Sequence, residues 1–252
     1  MTPDGGASAP ELLLPDVAAL TDLQTFVGRA KQVDAGGAVR MVAHDQVLAV
    51  YASALHGGGG PTVLVLRVLG LAEPSAVDVT VSLAALTDRF ALTDRVLAPA
   101  RLGAQNIGVP LRLSVPPTTV TGATWAGLLP PRVGWSREGA LRVRDLRAAA
   151  RAGIDEVAAG TGQVSGAAAV AKLRALVWGR PLPGQSELPT GTAFAAEAFG
   201  FLGGRSRRDS DLDEVFDQTV DPDAVGLYRA GRWWRLSTQR GHVLVRPAAS
   251  LV

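Results

Sequence analysis

The chain has 252 residues, of which 47% are hydrophobic and 19% charged. That is enough apolar material for one large core or two small ones, and too much for global disorder. The absence of cysteine excludes disulfides, thiolate catalysis, cysteine-ligated zinc and iron–sulfur clusters. A net charge of +2 is too small to imply a nucleic-acid partner by itself.

Only 5% of residues are aromatic, so the core has to be built from Ala, Val and Leu. Residues 1–14 read as a loose tail. The acidic start lacks the basic region and apolar stretch of a secretory signal, and no apolar run approaches the ~18 residues of a spanning helix. A cytoplasmic location without a membrane partner is therefore expected. Asp16 can cap a helix running to about Val33, in which Leu20, Leu23, Val27 and Ala30 share one face. Four strands are expected next. Val39–Ala43 and Val47–Ala54 are joined by a short hairpin at His44, Asp45 and Gln46. Thr62–Leu69 follows a glycine run, and Val77–Leu83 alternates with a period of two. A helix then starts at Leu83, and Leu111–Val115 reads as a last strand.

Ser114–Gly139 has neither period. It carries two Pro-Pro pairs and two of the five tryptophans. Paired prolines restrict the backbone, and Trp125, Leu128, Leu129, Val133 and Trp135 are too apolar for a solvated tether. An ordered strap with both tryptophans mostly buried between the halves is expected.

Beyond it the pattern becomes helical. Val143, Leu146, Ala150, Ile154 and Val157 form an apolar stripe over Leu141–Ala159. Ser165 is placed to cap a helix through Trp178, stopped by Gly179 and Pro181. Thr192 is placed to cap a third helix carrying Phe194, Ala198, Phe201 and Leu202. Val225–Arg246 reads as short strands. The resulting fold class is α+β: an N-terminal antiparallel sheet with flanking helices, then a small helical domain ending in a winged-helix-like β-hairpin. The domains are placed at 15–115 and 140–252, with the strap over 116–139. The order of the first half is loosely similar to half of a sliding-clamp-type domain and to several chaperone-like folds. The runs WAGLLPPRVGW (125–135), WGRPLP (178–183) and RWWRLSTQRGHVL (232–244) resemble an uncharacterised actinobacterial two-domain family. That resemblance implies a two-part architecture and no known activity.

Basic residues concentrate late, with 8 in residues 1–124 and 17 in 125–252, and all but Lys31 and Lys172 are arginine. Arginine forks onto carboxylates and phosphates. Arg229, Arg232, Trp234, Arg235 and Arg240 form one candidate surface for an anion or nucleic acid, beside Tyr228 and Trp233. Arg144, Arg147 and Arg151 form another on one flank of the first helix, where they oppose the helix dipole and repel each other. The acidic run Asp209–Asp223 is the expected neutralising partner of that flank, with an external anion as the rival.

Metal and catalytic signals are weak. Asp209, Asp211 and Asp213 begin like a calcium loop, but Glu214 and Val220 stand where glycine and a bidentate glutamate are required. Gly160–Gly166 lacks the ending of a phosphate loop and reads as a turn between helices. His44, His56 and His242 are in no ligand spacing, and no nucleophile elbow occurs. No catalytic residue, metal or cofactor is expected. The favoured reading is a non-enzymatic interaction or regulatory protein that binds a protein partner or itself. A winged-helix-like DNA-binding protein and an enzyme with a site between the domains are the alternatives.

Overall fold

The structure, a computed structural model, describes residues 10–57, 59–101, 109–163, 165–203 and 223–248, with residues 94–101 described by their backbone. The chain divides into two compact units. The first comprises residues up to Ala52 and Arg67–Gly127; the second comprises Ser53–Leu66 and the chain from Leu128 onward.

In the first unit, strand β1 (Glu11–Leu14) pairs antiparallel with β4 (Leu111–Ser114). Residues 11–14 are thus not part of a loose tail. Leu12 and Leu14 alternate into the core with no exposure, which the apolar run ELLL demands. Helix α1 (Val17–Val33) is capped as its sequence predicts: the Asp16 carboxylate accepts the Ala19 N–H at 2.8 Å. Its buried face is Leu20, Leu23, Phe26, Val27 and Ala30. Helix α2 (Leu83–Arg101) contacts α1 and β4 and contributes Leu83, Leu86 and Phe90 to the core.

The four expected strands are two. Strand β2 (Ala38–Leu55) runs straight through His44–Gln46, and β3 (Thr62–Ser82) runs through the stretch between Leu69 and Val77. No hairpin forms at His44. Asp45 takes a left-handed φ of 50°, and residues 44–47 are exposed, but the strand does not reverse. Polar residues mark a solvent-facing stretch as readily as a turn, which is why the pattern misleads. The first part of the strap belongs to this unit. The Val120 N–H donates to the Thr80 carbonyl at 2.8 Å, and Thr124–Gly127 forms a 3-10 turn that buries Trp125 at 3% exposure.

The second unit contains β5 (Ser136–Arg142), α3 (Val143–Thr161), α4 (Ala167–Gly179), a small hairpin of β6 (Pro181–Leu182) and β7 (Gln185–Pro189), α5 (Gly191–Ala198), β8 (Ala224–Ala230), β9 (Trp233–Thr238) and β10 (Gly241–Arg246). The sheet order is β2-β3-β10-β9-β8-β5, and Thr62–Leu66 of β3 is the part paired with β10. The winged-helix-like arrangement is therefore wrong. A wing is a free hairpin, whereas β8, β9 and β10 each have neighbours on both sides. Val243, Leu244 and Val245 are consecutive and all buried, the signature of an interior strand covered on both faces.

Two expected caps also fail. Gly166, at φ 90°, precedes α4 where Ser165 was the candidate, and Thr192 lies buried inside α5. Helix α3 buries only Leu146 and Ala150 of its stripe, with Gly153 buried beside them, while Ile154 is 41% exposed. Helices α3 and α4 pack through two glycine notches. A Cβ on Gly153 would stand 2.2 Å from the Trp178 ring, and one on Gly160 would stand 2.7 Å from Leu173. The Trp178 ring also stacks on Phe194 of α5 at 4.4 Å.

Candidate functional site: the Arg235 face of the second sheet

Paired residues of neighbouring antiparallel strands share a face, and alternate residues change face. One face of the second unit's sheet carries Val63, Val65, Val243, Val245, Leu236, Trp234, Leu227 and Val225, all buried. Helix α5 contacts β10 here, where Gly241 comes so close to the Phe201 ring that a Cβ would lie 2.5 Å from it.

The opposite face has a different chemistry. It carries Leu64 and Leu244, both buried, then Arg235 of β9, Tyr228 of β8 and Arg137 of β5 in one row across the sheet. The rows beside it hold His242 and Ser237 on one side and Arg246 on the other, and Arg142 lies one row beyond Ser237. The Arg235 guanidinium lies 4.6 Å from the Trp135 ring centre and 4.8 Å from that of Tyr228, held between the two. Such contacts replace the hydration a buried cation loses. Burial nonetheless pushes the Arg235 pKa down, and its Nε has no hydrogen-bond acceptor. The group stays charged at any physiological pH. Trp135 is partly exposed, with its indole N–H on the Pro131 carbonyl at 3.0 Å. His242 Nδ1 and Ser237 Oγ are 3.1 Å apart. Among the described residues of these strands, no carboxylate stands on this face. Glu138, the acid of β5, accepts from Ser136 Oγ at 2.9 Å, and Ser136 is paired with Arg229 of the other face.

The residues singled out by sequence are not brought together. Arg229 and Trp234 are paired on the helix-covered face, 4.9 Å from guanidinium to ring, with Arg229 Nη1 3.6 Å from Glu187 of β7. Trp234 is buried and Arg232 is exposed in the β8–β9 turn. Arg240 is in the β9–β10 turn, its guanidinium against Gly203. On α3, Arg144 lies 3.6 Å from Asp145, Arg151 is exposed, and Arg147 donates to the Leu202 carbonyl with its Nε 3.7 Å from Glu197. Arg147 thus meets its counter-charge on α5. The acidic run assigned to that task, with its Asp-x-Asp-x-Asp start, lies outside the described residues except for Asp223.

Tyr228, which the sequence had placed beside Arg235, is joined on the face by Arg137, Arg142 and Trp135, which sequence reading did not assign to it. Arg137 meets Tyr228 across a β5–β8 pairing that spans a long stretch of chain, which no local pattern announces. The period of two along β8 and β9 is the signal that separates Arg229 from Tyr228 and Trp234 from Arg235.

Residues 7–107 match the family model described as Domain of unknown function (DUF8010), and residues 130–250 match Domain of unknown function (DUF8185). The chain is a two-domain protein of uncharacterised family. No curated protein matches it. Among solved structures it is similar to a β sliding clamp of C. crescentus, with 12% identity and TM-score 0.42, and to a second structure of the Caulobacter crescentus DNA polymerase sliding clamp, with 12% and 0.39. It is also similar to the DNA polymerase III subunit beta of Pseudomonas aeruginosa, with 13% and 0.38. In each case 96% of this chain is covered, and it spans 66% of the other chain's length.

Proposed function

We propose that this protein works by binding an anionic macromolecular partner, as an interaction or regulatory protein, through the sheet face around Arg235. The observation that carries this reading is the charge of that face. Arg137, Arg142, Arg235 and Arg246 stand on it with no described carboxylate opposite, and Arg235 lies against two rings. Guanidinium groups fixed in place lose little freedom on binding and suit the forked geometry of carboxylate or phosphate. Other sites support less. Among the described residues, no group of three or more His, Asp or Glu side chains is placed to hold a metal ion. A recess in the first unit is lined by Glu11, Arg89, Leu111 and Arg112, but its acid is taken by Arg112 at 3.1 Å. No helix among the described residues is long and apolar enough to cross a membrane.

The test is a titration of the whole chain with fluorescent poly-glutamate and, separately, a dT12 oligonucleotide, followed by anisotropy at low and high salt. Binding of at least one is expected, weakening with salt and falling by about tenfold or more in Arg137→Gln/Arg246→Gln. Equal affinity of the double variant and the parent for both probes would sink the proposal.

A further inference from the structure

Resting on that reading, we infer that the partner is an acidic polypeptide segment that binds in extended form by adding a strand to the free edge of β5. Strand β5 ends the strand order, so its outer side has no strand neighbour among the described residues, and every residue but Leu141 is exposed. Such an edge presents unpaired N–H and C=O groups at alternate residues. An incoming chain gains affinity from that ladder and specificity from its side chains.

The charges choose the occupant. Arg137 and Arg142 lie on the Arg235 side of β5, paired with Tyr228 and Ala224. If a second copy of β5 paired antiparallel about an axis between Gly139 and Ala140, Arg137 would meet Arg142 and the two would repel. An incoming strand with carboxylates at every second residue places them on the face that carries these arginines. The same charges that deter self-pairing therefore select an acidic strand.

The aromatic groups disfavour a nucleic acid. Base recognition on a sheet needs open ring faces for stacking. Here the Trp135 and Tyr228 rings are occupied by Arg235, and Trp233 and Trp234 are 8% and 7% exposed. What remains open is charge together with a backbone edge. The bulge between Arg137 and Gly139, where Gly139 takes φ 150°, limits the continuous run to Gly139–Arg142 and makes the added strand short.

The probe is a capped, fluorescent eight-residue peptide alternating valine and glutamate, titrated against the whole chain. Two further peptides carry N-methyl groups on all valines or on all glutamates. Methylation keeps the charge and blocks one edge of the peptide each time. The unmodified peptide is expected to bind, and one of the two methylated versions to bind about tenfold more weakly or worse. Arg137→Gln/Arg142→Gln is expected to weaken the unmodified peptide by a similar factor. Equal binding of all three peptides, within about twofold, would overturn strand addition while leaving a charge-driven partner in place. Tighter binding of dT12 than of the peptide would replace the polypeptide by a nucleic acid. Failure of peptide, poly-glutamate and dT12 alike would remove both proposals.

Discussion

Two arginines, one in each unit, are held by different means. In the first, Arg40 forks onto Asp78 at 2.8 and 2.7 Å and also donates to the Ala126 carbonyl, while Arg67 Nε is 2.8 Å from Asp22. The Asp78 carboxylate, chiefly by hydrogen bonding, holds the Arg40 pKa above its ordinary value. In the second unit, Arg235 lies against two aromatic rings and loses hydration without gaining a described carboxylate. A neutralised cation ties two strands and a strap together and presents no net charge outward. A cation held by rings is fixed but not cancelled, so its field is available to a partner.

The largest expected effect is on the packing that separates the units' styles. The second unit brings helices together by omitting side chains, so Gly153→Ala should drive its Cβ into the Trp178 ring, which Phe194 holds from the other side. Alanine is the better helix former by up to ~1 kcal/mol, but the clash should outweigh that and cost about 1–3 kcal/mol net. Thermal unfolding checks it, and an unchanged or raised melting temperature would show that Trp178 yields easily.

Next in size is a paired substitution that reads the comparison directly. Arg40→Met leaves Asp78 without its fork and should cost about 1–2 kcal/mol, with allowance for the exposure of Asp78. Arg235→Met keeps an unbranched side chain between the rings and removes a desolvated charge, so stability should change by less than ~0.5 kcal/mol or rise. Denaturant titration of both variants gives the answer. Equal losses would mean that rings and carboxylate hold arginine alike.

The smallest effect concerns an exposed pair of the second unit. Arg180 forks onto Glu156 at 2.7 and 2.6 Å, and this bonding lowers the Glu156 pKa. A depressed carboxylate contributes stability above its unfolded pKa, and that contribution is lost as pH falls through the folded one. Glu156→Gln should therefore trim stability slightly at pH 7 and not at all in strong acid. The same small deficit at both values would show that the pair is not responsible.

Much of the fold was legible because local chemistry speaks locally. The Asp16 cap, the buried face of α1, the α4 stop at Gly179 and the existence of every long helix follow from spacing within a turn or two. The strap is legible in part: Trp125 is buried, whereas Trp135 is only partly covered. The candidate site was legible as composition and not as geometry. Sequence marked the Arg–Trp stretch, but the turns at Gly231 and Gln239–Arg240 and the alternation of β8 and β9 send its members to opposite faces and ends.

By itself the sequence determined the absence of cysteine chemistry, the helices, the late concentration of arginine and a two-part architecture. Tertiary structure alone decided that His44–Gln46 is a passage within a strand, that the last three strands are interior to a sheet, and that Arg137 and Trp135 stand with Arg235. The reason is physical. A helix satisfies its own backbone within four residues, whereas a strand needs a partner, and which partner it finds depends on chain far away.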